Sequence, residues 1–180
     1  MTTLKSDSTS GRMGAAVEAI RMLARRSAAG FTRTLQRKLI PIVSRIFSAT
    51  HVSLYQKTGG ALGGRFQGDD VLLLTTTGRK TGKARTTPVL YLADGDRLVI
   101  VASNGGMDWS PQWWLNLQRT PEAQVQVGRQ RMRVRAGQAK QAEAQQLWAR
   151  FIARYPVYAT YAERTTRPLP VIILQPITHA

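Results

Sequence analysis

Residues 72–91, Leu-Leu-Leu-Thr-Thr-Thr-Gly-Arg-Lys-Thr-Gly-Lys-Ala-Arg-Thr-Thr-Pro-Val-Leu-Tyr, leave the chain little choice of local structure. A run of leucines and threonines enters a turn bracketed by two glycines, and a second β-branched run leaves it. β-Branched residues favour strands, and glycine supplies the backbone freedom that a tight reversal needs. The expectation is two strands that present Arg79, Lys80, Lys83 and Arg85 at one end of a sheet. Four cations over seven residues need an anionic partner or abundant water. Phosphate and carboxylate oxygens suit them, because charge-assisted hydrogen bonds are the strong ones. By charge alone, the turn is either an anion site or a solvated hairpin tip.

The segment Gly78-Arg79-Lys80-Thr81-Gly82-Lys83 superficially resembles a P-loop, and three features exclude one. A P-loop has four residues between its glycines and a Ser or Thr after its lysine, and it opens a helix. Here three residues separate the glycines, Ala84 follows Lys83, and the next residues are strand-like.

The 180-residue chain carries a formal charge of +16, of which residues 1–50 supply +7. Such an excess implies acidic partners. There is no cysteine, so disulfides, thiol catalysis and thiolate metal sites are excluded. Two histidines far apart in sequence, His51 and His179, argue against a His-based metal site or a Ser-His-Asp triad. No run approaches the roughly 18 apolar residues of a membrane-spanning helix. The N-terminus lacks the pattern of a secretory signal. The expected setting is cytoplasmic.

Residues 1–50 divide into a polar tip and two basic amphipathic stretches. Met13, Val17, Ile20 and Leu23 recur at helical steps, as do Phe31, Leu35, Leu39, Ile42 and Ile46. Such helices either pack on a core or lie on an anionic membrane surface. Residues 58–68 hold five glycines and read as a connector, or as a loop whose bare backbone closes over a ligand. From residue 51 onward the pattern is that of one domain. Strands are expected near 71–77, 84–93 and 97–103, with a hairpin turn at Asp94-Gly95-Asp96. A short helix follows, capped by Ser110 with Pro111 in its first turn. Residues 122–136 alternate as a hairpin around Gly128-Arg129, with Arg131, Arg133 and Arg135 on its wet face. Residues 138–154 read as a helix with Ala142, Leu147, Phe151 and Ile152 partly buried, 155–167 as an aromatic loop, and 169–174 as a last strand. Hairpins dominate and no βαβ unit repeats. The expected class is α+β, mainly antiparallel: a barrel-like sheet with peripheral helices and an amphipathic helical N-terminus.

Two aromatic groups remain. Trp113-Trp114 and Tyr155, Tyr158 and Tyr161 are either core or, with free phenols beside a loop, the lining of a wet pocket for a flat ring system.

Taken together, the segments from Gly60 to Leu174 resemble the deazaflavin-dependent nitroreductase family of split β-barrel proteins. The resemblance rests on Leu-Gly-Gly at 62–64, Thr-Thr-Thr-Gly-Arg-Lys-Thr-Gly at 75–82 with Arg85 and Pro88, and Ala-Ser-x-Gly-Gly at 102–106. It continues through Pro-x-Trp-x-Leu-Asn-Leu at 111–117, Pro-Glu-x-x-Val-Gln-Val at 121–127 and Tyr-Pro-x-Tyr-x-x-Tyr at 155–161. It implies reduced coenzyme F-420, whose phosphate and polyglutamate tail are anionic, as hydride donor and a quinone-like or nitroaromatic acceptor. It also implies roles for individual residues. Lys80 and Arg85 would hold phosphate or tail, with Arg79 and Lys83 outside them. Pro88, Ser103, Gln112, Trp113 and Asn116 would lie along the deazaflavin and its ribityl chain. Tyr155, Tyr158 and Tyr161 would line the acceptor side, and Ser103 or a tyrosine would stabilise the reduced oxygen. Two positions depart from the family pattern. Leu90 replaces a tyrosine and removes a polar group from the acceptor pocket; Asn104 replaces a lysine and removes a cation.

The expected protein is thus a deazaflavin-dependent oxidoreductase. Residues 13–49 would be its contact with an anionic membrane, where quinones reside, and no nucleic-acid partner is expected. A non-catalytic module that binds anionic membrane or nucleic acid, or a flavin-mononucleotide enzyme on the same fold, is the alternative.

Overall fold

The computed structural model describes residues 52–66 and 69–177. The amphipathic stretches within 13–49, the polar tip before them and the boundary at residue 50 lie outside the described residues. Residues 52–58 are helical (α1). Eight strands follow, interleaved with three more α-helices: β1 (Arg65–Phe66), β2 (Asp69–Thr77), β3 (Ala84–Leu90), β4 (Leu92–Asp94), β5 (Arg97–Val101), α2 (Gln112–Arg119), β6 (Glu122–Val127), β7 (Gln130–Gln138), α3 (Gln141–Arg154), α4 (Val157–Glu163) and β8 (Val171–Pro176). Every pairing is antiparallel. The expected α+β class and split barrel are observed.

The barrel closes because one run of chain serves two neighbours. The ladder runs β3-β2-β6-β7-β8-β5-β4. Its two ends, β3 and β4, are consecutive in sequence and separated only by Tyr91. The strand expected over 84–93 is therefore broken at Tyr91. Its first part pairs with β2 and its second with β5. At the break, the Tyr91 carbonyl accepts a 2.6 Å hydrogen bond from the Tyr155 hydroxyl in place of a ladder partner. Among the described residues β3 is paired along one edge only. That open edge is the split.

Alternation along the strands makes two cores. Leu72, Leu74, Val89, Ile100, Ala102, Val125, Val134, Ile172 and Leu174 point into the barrel, where Trp113, Trp114 and Leu117 of α2 join them. Val99, Val101 and Val171 point outward and are covered by Leu147, Phe151, Tyr155 and Tyr158. Burying each large side chain contributes about 1.5–3 kcal/mol, so both faces of β5 and β8 are strongly specified.

Several boundaries differ from expectation. Pro111 is extended and stands before α2, and neither it nor Ser110 makes a side-chain capping bond. Instead the Pro111 carbonyl accepts the amides of Trp114 and Leu115. The strand expected to reach 103 stops at Val101, and a 3-10 turn follows at Asn104–Gly106. Residues 155–167 are not all loop. Pro156 begins α4 instead of preventing it, since proline lacks only the amide that a first turn leaves free. Ala142 is exposed, whereas Leu147 and Phe151 are fully buried. The glycine-rich connector is built in part: Gly64 donates to the Gly60 carbonyl at 3.1 Å, and β1 pairs with β2. A Cβ on Gly64 would lie 2.2 Å from that carbonyl oxygen, so glycine is required there.

Two polar ties join distant parts. Tyr55 of α1 is 1% exposed. Its hydroxyl donates to the Val71 carbonyl at 3.0 Å and accepts the Gly128 amide at 2.9 Å. Asp94, in the β4–β5 hairpin, accepts from Arg150 of α3 and from Arg97, and these bonds hold its carboxyl below the usual range.

Tyr55→Phe should lower the unfolding free energy by about 1–3 kcal/mol, because the Gly128 amide loses a buried partner; urea denaturation measures it. Asp94→Asn should lower Tm at neutral pH. A depressed folded pKa stabilises above the unfolded value of about 3.9. The gap to wild type should therefore be full above about pH 5 and close as acid titrates the carboxylate below about 3.9. A gap that is constant from neutral pH to acid would refute the ion-pair account.

Candidate active site

The β2–β3 hairpin sets out the site along its length. The pairings Leu73 with Pro88 and Val71 with Leu90 place Pro88 and Leu90 on the outer face of β3. On β5 the outward residues are Val99 and Val101, and the next position of that parity is Ser103. Leu90 packs with the outer cluster, as does Tyr161. Ser103 and Tyr158 are both buried, and among the described residues no buried side-chain polar atom is left without a partner. Leu90, Ser103, Tyr158 and Tyr161 thus gather at one end of β3, and the cationic turn lies at the other. Leu90 lies five positions after Arg85, about 17 Å at roughly 3.4 Å per residue.

The turn is formed by its own main chain. The Gly78 amide donates to the Lys83 carbonyl at 2.9 Å, and the Gly82 amide to the Gly78 carbonyl at 2.7 Å. Gly82 sits at φ +66°, a conformation that favours glycine. The four cations are not equivalent. Arg79 is tied to α2: its amide donates to Asn116 Oδ1 at 3.1 Å and its guanidinium to Gln112 Oε1 at 2.9 Å. Gln112 and Asn116 are four residues apart, so they share one helix face. Asn116 is 4% exposed and also donates to Thr76 Oγ1 at 3.0 Å. Lys80, Lys83 and Arg85 are exposed, and none pairs with a carboxylate among the described residues. They are free to take an anion.

At the other end, the α4 tyrosines stack in sequence. Phe151 and Tyr158 rings are 4.8 Å apart, and Tyr158 and Tyr161 rings 5.3 Å apart. Burial pushes the Tyr158 phenol well above its ordinary pKa, with the Ser103 side chain opposing as a hydrogen-bond partner. Burial likewise pushes Tyr155 up to about 12. Both hydroxyls keep their protons throughout the neutral range.

Two expectations need correction. Tyr155 has no free hydroxyl, because the Tyr91 carbonyl has taken it. Trp113 and Trp114 offer no aromatic plane, being 7% and 8% exposed within the inner core. The Arg131, Arg133 and Arg135 face is wet and basic as expected, with Glu122 bridging Arg133 and Arg135 at 2.8 Å each and Gln126 accepting from Arg131.

Sequence reasoning missed Arg167. Its guanidinium donates to the carbonyls of Met107 at 2.8 Å and Ala102 at 3.0 Å, and to that of Ser103. It fixes the loop that carries Ser103, and an arginine in a polar stretch gave no hint of this. A separate cleft of about 660 Å³, lined by residues 59–64, Tyr55, Val71, Tyr91 and Gly128, lies at the end of the hairpin away from the cationic turn. It includes neither the cations nor Ser103.

The site thus has three cations without a carboxylate partner among the described residues at one end and a buried serine and tyrosine at the other, on a split antiparallel barrel. Comparison with known proteins narrows the class. Residues 47–176 match the family model of the F420H(2)-dependent quinone reductases. The F420H(2)-dependent quinone reductase Rv1261c of Mycobacterium tuberculosis is 40% identical over 128 residues, 69% of this chain and 86% of that protein. Among solved structures, an F420-H2 dependent reductase (FDR-A) is 33% identical with a TM-score of 0.55, over 58% of this chain and 93% of that one. A chain described as a domain-swapped dimer is 26% identical with a TM-score of 0.58, over 81% of this chain and all of that one. The chain belongs to the F420H(2)-dependent quinone reductase family. It is an oxidoreductase that depends on reduced coenzyme F420, as expected from the resemblance.

Asn116→Ala should lower stability by about 1–2 kcal/mol through the lost Thr76 and Arg79 bonds. It should also loosen the cationic turn, seen as faster amide exchange at Arg79 but not in β6.

Proposed function

We propose that the outer strip of β3 is the coenzyme site, with its anionic end on the turn and its reacting end beside Leu90 and Ser103. The observation that supports this reading is the separation along one strand of three unpaired cations from a buried serine–tyrosine pair. The donor set fits the group. Lys80 and Arg85 would hold phosphate or tail carboxylates by charge-assisted hydrogen bonds, with Lys83 outside them. Arg79, already committed to Gln112 and Asn116, positions the turn. Pro88 presents a flat face beside the ring system, and Gln112 and Asn116 of α2 border the anionic end through Arg79.

When bound, reduced coenzyme F420 would supply a hydride, which together with one proton converts a quinone to its quinol. The chain's part is placement and electrostatics. Tyr158, with its raised pKa, keeps its proton and acts as a hydrogen-bond donor to the oxygen that gains charge; Ser103 fixes its orientation. The proton that completes the quinol then comes from water. Tyr161, half-buried on the same helix, borders the acceptor. With Leu90 in place of a polar side chain, the acceptor pocket favours an apolar ring over a nitro group. Tyr155 has a structural task at the barrel corner.

The basic amphipathic stretches of residues 13–49 would bring the barrel to the quinone by lying on an anionic membrane from the cytoplasmic side. Their pattern and the +7 charge of residues 1–50 support that role. No helix among the described residues is long and apolar enough to cross a membrane.

Titrating purified protein into coenzyme F420 should give saturable quenching of coenzyme fluorescence. Lys80→Glu with Arg85→Glu should weaken binding tenfold or more, and rising salt should weaken the wild type as well, since exposed charges are screened. Unchanged affinity in the double variant would move the anionic tail elsewhere, and a purified protein that is yellow with bound flavin would displace the assignment.

A further inference from the structure

Among the described residues only three large apolar side chains are strongly exposed: Leu62, Trp109 and Val157. Trp109 is the largest, with 49% of its surface in solvent. It sits midway along the loop that joins the 3-10 turn after Ser103 to Gln112 at the start of α2. That loop runs from the serine–tyrosine end of the strip to the residues that hold the cationic turn. It leaves the strip at Ser103 and borders it from there as a lip.

The lip is fixed in place. Asn104 Nδ2 donates to the Trp109 carbonyl at 2.9 Å. Arg167 holds the Met107 carbonyl at 2.8 Å, and Thr165 bonds Asp108 at 3.1 Å. Below it, Gly106 lies against α4: a Cβ there would come within 2.8 Å of the Tyr161 carbonyl oxygen. Asn104 itself has φ +49°, a left-handed conformation that asparagine tolerates better than most residues. A segment pinned at Asn104, Met107 and Asp108 holds an indole half out of the protein. An exposed aromatic on a braced loop is a stacking surface that costs little to order.

We propose that Trp109 is a specificity-determining residue for the acceptor: its exposed indole takes the face of a flat, apolar quinone ring, and Asn104 is the positioning residue that sets it. This rests on the reading of the β3 strip as the coenzyme site. It deepens that reading by assigning the acceptor to the 104–111 side of the groove. Leu90, apolar and half-buried, offers no competing hydrogen bond, so ring stacking takes over the discrimination.

The test uses the full-length protein with menadione, a tailless quinone, as probe. Trp109→Ala should raise the KM for menadione about three- to tenfold, as expected for loss of one aromatic pair, while kcat stays within about twofold. Trp109→Phe should recover most of the loss. Asn104→Gly, which keeps the left-handed backbone but removes the amide, should raise KM in the same direction with kcat unchanged. Coenzyme affinity, followed by fluorescence, should match wild type in all three variants. An unchanged KM in Trp109→Ala would overturn the proposal, as would weakened coenzyme binding, which would put the indole on the donor side. A loss seen only with quinone in anionic vesicles, and not with menadione in solution, would also overturn it and make Trp109 a membrane contact. Equilibrium binding of menadione without coenzyme separates the two readings. Trp109-dependent binding in a protein that fails to bind coenzyme would sink the coenzyme site and leave the acceptor platform standing.

Discussion

A single bend, at Tyr91, decides the shape of the groove. β3 pairs with β2 and β4 with β5, so the chain must change partners within one residue. A strand cannot do this inside a regular ladder, since its main-chain groups at the change of direction lose both neighbours. The Tyr155 hydroxyl supplies the missing donor at 2.6 Å, 64 residues further along the chain. That bond belongs to the same packed cluster as Phe151, Tyr158 and Val101. Barrel closure and the packing of Tyr158 against the outer face of β5 are therefore one event. The curl that leaves the β3 edge open is held by the helices that bring Tyr158 to Ser103.

Much of this was readable from the chain. Residues 72–91 announced a hairpin because the strand-forming residues, the glycines and the proline all agree. The β6–β7 pair was equally plain, since Ala123, Val125 and Val127 alternate with polar residues. What escaped was whatever depended on the pairing of distant segments. Tyr155 could not be seen as a corner bolt, because its partner is a main-chain carbonyl in the β3–β4 bend. The tryptophans at 113 and 114 read as a candidate ring platform, yet the inner face of the barrel needs bulk where α2 plugs it. Pro156 both separates α3 from α4 at Tyr155 and starts α4, since proline at the start of a helix is benign. The division of labour among the cations was also invisible, because Gln112 and Asn116 reach Arg79 only once α2 is docked.

The cationic turn shows how one short loop combines stiffness and reach. Arg79 is rooted in α2 through two side chains, whereas Lys80, Lys83 and Arg85 extend into solvent. A wholly solvated loop would have to be ordered on binding, at a conformational cost for each side chain. A wholly braced one could not follow a flexible anionic tail. The rooted arginine limits the first cost and the free cations supply the second capacity.

The open edge of β3 has a further effect, on how copies of the protein behave toward each other. An unpaired strand edge is a template for adding another strand, and sheet proteins guard such edges with charge and proline. Here the guard is Arg85 near one end and Pro88 near the middle, with Pro88 unable to donate to a new ladder. Pro88 lies on the outer strip, and Arg85, of the opposite parity, stands at its end. The two residues make this edge a poor partner for a second β3, and so guard the protein against edge-to-edge aggregation.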